Sequence, residues 1–420
     1  MSDSETGGLS QSSPTSRIDH RWMSGLQAGF SLLGALSLFS MALVFAVFSL
    51  AGQFGTPASR MDAATGLIVA AGLTFIGLVL LLSAWYAILG LLGRATVIKE
   101  AFSRSRWLWL SSGLLLGLLP LVLLLGQWVI ANKQLTWILL PPLHLVAVAI
   151  PVLWLSILSL RGLPVGSAQR AWGLLGVGMS LSPFLILGVE LIALILVTTL
   201  AFSWISLQPG IGEELFNLMQ QFQIAPSEPE AFLRALQPYL LRPEIIGLGA
   251  IFVVVIIPLI EESLKPLGMW FLLGHRLSPA EGFTAGLICG AGYAFFENLF
   301  LSNTLNQWDA LVLARGGTTV IHLFATAVTG WGLASAWTEG RFTRLGFAFT
   351  GAVLLHGLWN GLTLLLAAAS LSSEMLTLPA IIIRISSLAP IGLAILALFS
   401  LISIWIFNRR LKRAIIPELS

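Results

Sequence analysis

Residues 245–273 read IIGLGAIFVVVIIPLIEESLKPLGMWFLL. An apolar run leads into Pro258, then two adjacent glutamates, Glu261 and Glu262, then Lys265 and Pro266. The run is long enough to cross a hydrocarbon core ~30 Å thick, which takes about 20 residues. The rest of the chain excludes a buried helix of a soluble domain. Of 420 residues, 57% are hydrophobic and only 10% charged, where soluble domains carry about 25% charged residues. Working outward, nine more spans are expected, near 25–52, 65–92, 107–131, 136–160, 172–202, 281–302, 318–338, 345–369 and 377–407. The chain therefore reads as all-α, a polytopic transmembrane helical bundle of about ten spans.

Residues 1–22 are polar and rich in Ser, Thr and Gly, which predicts a disordered tail without the apolar centre of a signal peptide. Basic residues collect after alternate spans: Arg94, Lys99, Arg104 and Arg106; Arg161 and Arg170; His275 with Arg276; Arg341 and Arg344; and Arg409 to Arg413. The positive-inside rule then places both termini in the cytoplasm. Residues 23–202 form five N-terminal transmembrane helices of no assigned role. Residues 203–244 form an extracytoplasmic loop, with a short amphipathic helix expected at GEELFNLMQQFQI. Residues 245–369 form the core, and 370–420 the last helix and a basic tail. The net charge of +3 is scattered over short loops and gives no argument for nucleic acid. The single cysteine, Cys289, excludes an intrachain disulfide. Such a chain is expected in a cell membrane, with the lipid bilayer as its solvent.

An ionisable residue within a membrane helix costs about 2.5–3.5 kcal/mol on insertion scales, so each needs a reason. In the first half His144 and Glu190 stand alone. In the second half polar residues crowd: Glu261, Glu262 and Lys265; Tyr293, Glu297 and Asn298; His322; His356 and Asn360. Glu261 and Lys265 are four apart, the spacing of a helical ion pair. Glu262 points about 100° away, so the two carboxylates are expected to be unequal, Glu261 paired and Glu262 not. Unequal carboxylates suit acid and base work. Pro258 and Pro266 should loosen the helix beside them. Tyr293 with Glu297, and His356 with Asn360, each share a helix face. At 1.5 Å per residue, the glutamates and histidines of four spans fall within ~10 Å in depth. Each has a plain structural alternative: an ion pair, an orienting glutamate, a packing histidine. Arg384 in the last span needs a partner, Glu190 or a backbone carbonyl.

At these residues the sequence resembles the PrsW family of intramembrane endopeptidases, related to the CAAX-processing and bacteriocin-processing membrane proteases. The resemblance rests on Glu-Glu-x-x-Lys at Glu261, Glu262 and Lys265, aromatic-x-x-x-Glu at Tyr293 and Glu297, the histidines His322 and His356, and Asn360. It covers roughly residues 255–365. It implies a glutamate-dependent peptidase of the bacterial plasma membrane acting on a membrane-anchored protein, such as an anti-sigma factor at a first cleavage site. Glu261 would be the base that activates water, Glu262 its assistant, and Glu297 a holder of the water or base. His356 and Asn360 would polarise the scissile carbonyl, His322 would orient the cluster, and Lys265 and Tyr293 would support it. His-Glu-x-x-His is absent, so no metal is favoured; zinc, if present, would sit on Glu261, His322 and His356. The competing readings are a proton-coupled secondary transporter, against which no internal repeat is found, and a non-catalytic membrane scaffold.

Overall fold

A computed structural model describes residues 21–52, 54, 57–94, 106–224, 229–300, 307–372 and 380–415. The expected tail thus lies outside the described residues, except that Arg21 and Trp22 already begin a helix. The helices are α1 Arg21–Gly52, α2 Pro57–Leu91, α3 Arg106–Ala131, α4 Thr136–Leu160, α5 Ala168–Met179, α6 Leu181–Ser206, α7 Ile211–Ile224 and α8 Pro229–Leu240. After these come α9 Pro243–Ile251, a π-helical turn at Phe252–Ile256, α10 Ile257–Leu264, α11 Leu267–Trp270, α12 Pro279–Leu299, α13 Trp308–Glu339, α14 Phe342–Ser372, α15 Ala380–Ser386 and α16 Ala389–Ile415. The described residues are helical with no strand. Nine of the spans are long and apolar enough to cross a membrane, among the described residues.

The remaining expected span is α12, and it differs for a physical reason. It is buried along nearly its whole length, from Ala280 to Leu299, so it needs no lipid-facing apolar surface. Glycines replace that surface. A Cβ on Gly286 would lie 2.3 Å from the Thr326 carbonyl oxygen, and one on Gly282 2.6 Å from that of Gly330. On the opposite side a Cβ on Gly178 of α5 would lie 2.5 Å from the Cys289 carbonyl. Small residues at four-residue spacing let backbones approach this closely. So α12 is clasped between α5 and α13, and the polar residues at its end are held at fixed positions.

The fifth expected span is two helices. It breaks at Ser180, which leaves helical geometry with φ −127° and ψ −79°. The Ser180 hydroxyl donates back to the Gly176 carbonyl at 2.6 Å. Beyond the break α5 stays inside the bundle, while α6 turns an exposed face of leucines and isoleucines outward. The turns of the core lie where expected. Ser278 and Glu281 make a reciprocal capping box ahead of α12, with Pro279 at its first position. Gly340, at φ +68°, ends α13 just before Phe342 starts α14. The amphipathic helix expected at GEELFNLMQQFQI is α7, and α8 beside it was not foreseen; Tyr239 donates to Glu214 at 3.0 Å across them.

Two lone polar residues find their places. Trp308 Nε1 donates to Nδ1 of buried His144 at 3.0 Å, so His144 joins α4 to α13 as a packing residue. Arg384 lies not within the last long helix but on short α15, where it is exposed; no ion pair joins it to Glu190 among the described residues.

Candidate active site

Pro258 decides the local backbone. Lacking an N–H, it cannot bond the carbonyl four residues earlier, and a π-helical turn opens at Phe252–Ile256 just ahead of it. The carbonyls so released face α14. Asn360 Nδ2 donates to the Val253 oxygen at 3.2 Å. A Cβ on Gly357 would stand 2.3 Å from the Val254 oxygen, so only glycine admits this contact. The helix then runs about two turns through Glu261 and Glu262 and ends at Lys265 and Pro266. The two prolines therefore loosen the helix on both sides of the glutamates, as their positions suggested.

Lys265, fully buried, is the hub. Its Nζ lies 2.6 Å from Glu262 Oε1, 2.8 Å from Glu261 Oε2, 2.8 Å from His322 Nδ1 and 3.4 Å from His356 Nδ1. The Tyr293 ring lies beneath it, 4.7 Å to the centroid. His322 reaches onward through Nε2 to Glu297 Oε2 at 2.5 Å, and Arg315 holds Glu297 Oε1 at 2.6 Å. His356 Nδ1 lies 2.9 Å from Glu262 Oε1, and its Nε2 3.8 Å from Glu261 Oε2. The neighbours assign the tautomers: His322 accepts at Nδ1 from the ammonium and donates at Nε2 to Glu297. His356 donates at Nδ1 to Glu262, which leaves its Nε2 lone pair turned toward Glu261.

The structure brings Glu261, Glu262, Lys265, Tyr293, Glu297, His322 and His356 together from α10, α12, α13 and α14. It also changes two expectations. Lys265 does not serve Glu261 alone. Residues three and four before it lie on nearly one face, and its long chain reaches both, so both carboxylates are paired. Glu262 is the more deeply sealed, at 0% exposure against 7% for Glu261. For Asn360, expected to polarise the scissile carbonyl, the structure places Nδ2 on the Val253 carbonyl of the π-helical turn.

Arg315 lies before the span expected at 318–338. Instead α13 begins at Trp308 and runs through both glycines, and a Cβ on Gly317 would stand 2.7 Å from the Trp359 ring. Arg315, Thr319 and His322 then share a face at helical spacing. That spacing was the available signal. Thr319 accepts from Asn298 Nδ2 at 2.9 Å, which fixes the residue next to Glu297.

Three carboxylates, Glu261, Glu262 and Glu297, meet two fixed cations, Lys265 and Arg315. One carboxylate is left unmatched in a medium where a lone charge is expensive. Glu261 is less sealed than Glu262, though more so than Glu297. Its buried Oε2 contacts Nζ as an ion pair without the alignment of a hydrogen bond. Glu261, His322 and His356 each offer one ligand atom, all within 4.8 Å of one another. Carboxylate oxygen and imidazole nitrogen are zinc donors, so the set fits a divalent cation by type and spacing. Lys265 Nζ shares the Glu261 and His322 atoms, so an incoming cation and the ammonium compete for them.

Carboxylates, imidazoles and an ammonium sealed together within a bundle of apolar helices are the groups that proton transfer within a membrane would need. The family model described as PrsW family intramembrane metalloprotease matches residues 230–386, and a PrsW-family domain over this segment indicates a membrane peptidase. No curated protein and no solved structure matches the chain. The match contains every residue of the cluster and extends beyond the 255–365 expected from the motifs. Its metalloprotease description, with the Glu261, His322 and His356 set, supports a metal-holding site over the expectation of no metal.

Proposed function

We propose that this peptidase hydrolyses a peptide bond of a membrane-anchored protein with Glu261 as the residue that takes the proton from the attacking water. The observation that carries the reading is the contrast between Glu261 and its neighbours. Both oxygens of Glu297 are bonded, and Glu262 Oε1 is held by Lys265 and His356. Glu261 Oε2, like Glu262 Oε2, is in no hydrogen bond, but Glu261 is the less sealed of the pair and faces Nε2 of His356 at 3.8 Å. Glu262 fixes His356 and Lys265, and Glu297 fixes His322. Lys265 offsets the charge of both neighbouring carboxylates, so that a proton can arrive at Glu261 and leave again for the departing amine. Helices packed around the cluster keep bulk water away and strengthen each of these interactions. A divalent ion held by Glu261, His322 and His356 would supply Lewis-acid polarisation of the scissile carbonyl.

The natural substrate is proposed by class: a membrane-anchored regulator, such as an anti-sigma factor, cut at a first site. The test is the set of membrane proteins that accumulate uncut when Glu261→Gln replaces the wild-type chain. At least one such protein is expected, with the variant present at the wild-type level. An identical set of fragments in both strains would sink the reading.

A further inference from the structure

Outside the matched family segment, one charged residue turns toward the site. Glu190 is the sole charged side chain of α6. Most of α6 is exposed, including Leu187, Leu191 and Ile195. Its protein-facing stripe is Ser182, Pro183 and Ile186, all buried, and Glu190 continues that stripe one turn on. The helix packs on α10 and α12, and Phe184 meets Phe296, the neighbour of Glu297, at 6.1 Å between ring centroids. The Glu190 carboxylate lies within electrostatic range of Glu261, Lys265, Glu297 and Tyr293. Its Oε1 is fully buried and accepts no hydrogen bond. Leu259 of α10 is exposed like its neighbours on α6, so the two helices border the site along a lipid-facing seam.

We propose that Glu190 is a substrate-positioning residue of this site, its Oε1 accepting a hydrogen bond from a backbone N–H of the peptide segment opened for cleavage. The inference rests on the peptidase reading above. A helical substrate must unwind before its scissile bond can be reached, and unwinding frees N–H groups. In hydrocarbon each unpaired group costs several kcal/mol. A buried acceptor without a donor on the lipid-facing side of the site is the complement of that need. Asn360 is committed to the π-helical turn, and Glu297 to Arg315 and His322. A glutamate on a lipid-exposed helix is costly to insert, which argues for a use.

The test uses the full-length chain in lipid nanodiscs and a fluorescent synthetic transmembrane peptide of leucine and alanine, about 25 residues long, with a central Gly-Pro break. Binding is read by anisotropy, and cleavage by KM and kcat. Glu190→Leu keeps the bulk, removes the acceptor and suits the lipid. It is expected to weaken binding and raise KM by about tenfold, the weight of one buried hydrogen bond, with kcat changed less than about twofold. Glu190→Gln, which keeps an acceptor oxygen, is expected to restore binding to within about threefold of wild type. Wild-type binding by the Leu variant overturns the proposal. So does a Gln variant as weak as Leu, since charge rather than an acceptor would then matter. Failure of the wild-type chain to bind the peptide also overturns it. Peptide bound but never cut counts against the peptidase reading instead, and the binding ratios still decide the role of Glu190.

Discussion

Lys265 shows how four residues from three helices become one unit. Its ammonium touches Glu261, Glu262, His322 and His356, so the cost of burying any one charge is shared among all. The two glutamates should therefore respond differently to the same change. Glu262→Gln breaks a fully sealed pair and is expected to destabilise the chain by about 3–5 kcal/mol, read as a lower unfolding midpoint in detergent. Glu261→Gln, at the less sealed of the two, is expected to cost less stability but to slow cleavage about 10²–10⁴-fold, read on the purified chain. Equal loss of stability from both would contradict the asymmetry. Lys265 also competes with a metal. Lys265→Met removes a positive charge from among the Glu261, His322 and His356 donors and is expected to tighten zinc binding at least about tenfold, measured by calorimetry on the metal-free protein. Weaker zinc binding in that variant would show that the ammonium supports the metal site rather than excluding it. The glutamates and histidines were legible because a polar residue in an apolar run stands out. That Lys265 serves both carboxylates was not, because helical spacing gives faces and not the reach of a four-carbon side chain.

Between elements, the π-helical turn and the glycine ladder place these residues. Asn360 closes the turn by donating to Val253. Replacing Asn360 with Leu leaves that carbonyl unsatisfied and is expected to cost about 1–3 kcal/mol, measured as a fall in the thermal midpoint, and to lower cleavage by shifting α10. If Asn360 acted on the substrate instead, activity would fall with stability intact. Gly286→Val would push a side chain into the backbone of α13, 2.3 Å from the Thr326 oxygen for Cβ alone. It is expected to destabilise the α12–α13 pair by about 3 kcal/mol or more. Pro258 and Pro266 announced the loosened helix in the sequence. The break at Ser180 was hidden, because α5 and α6 form one apolar stretch long enough for a single span, and Gly176, Gly178 and Pro183 lie within it without interrupting its hydropathy. Arg315 was hidden for the opposite reason: it lies before the span expected at 318–338, inside a helix that packing against Trp359 keeps continuous.

At the scale of the whole molecule, the bundle buries the helix that carries Tyr293 and Glu297 among its neighbours. α12, the least apolar of the expected spans, lies at the centre between α5 and α13, and α6 faces outward beside the site. The bundle of about ten spans was legible from hydropathy, and four motifs in order marked the family segment. That a helix outside this segment reaches the site was not legible, because a lone Glu190 in an apolar run gives no hint of its neighbours. The central claim is that Glu261 opens a peptide bond within this cluster. Its most direct test reconstitutes the purified wild-type chain and Glu261→Gln with a membrane protein that accumulates uncut in the variant strain, and identifies the products by mass spectrometry. The expected result is one new pair of termini with the wild-type chain and none above background with the variant. Equal cleavage by the two would contradict the account.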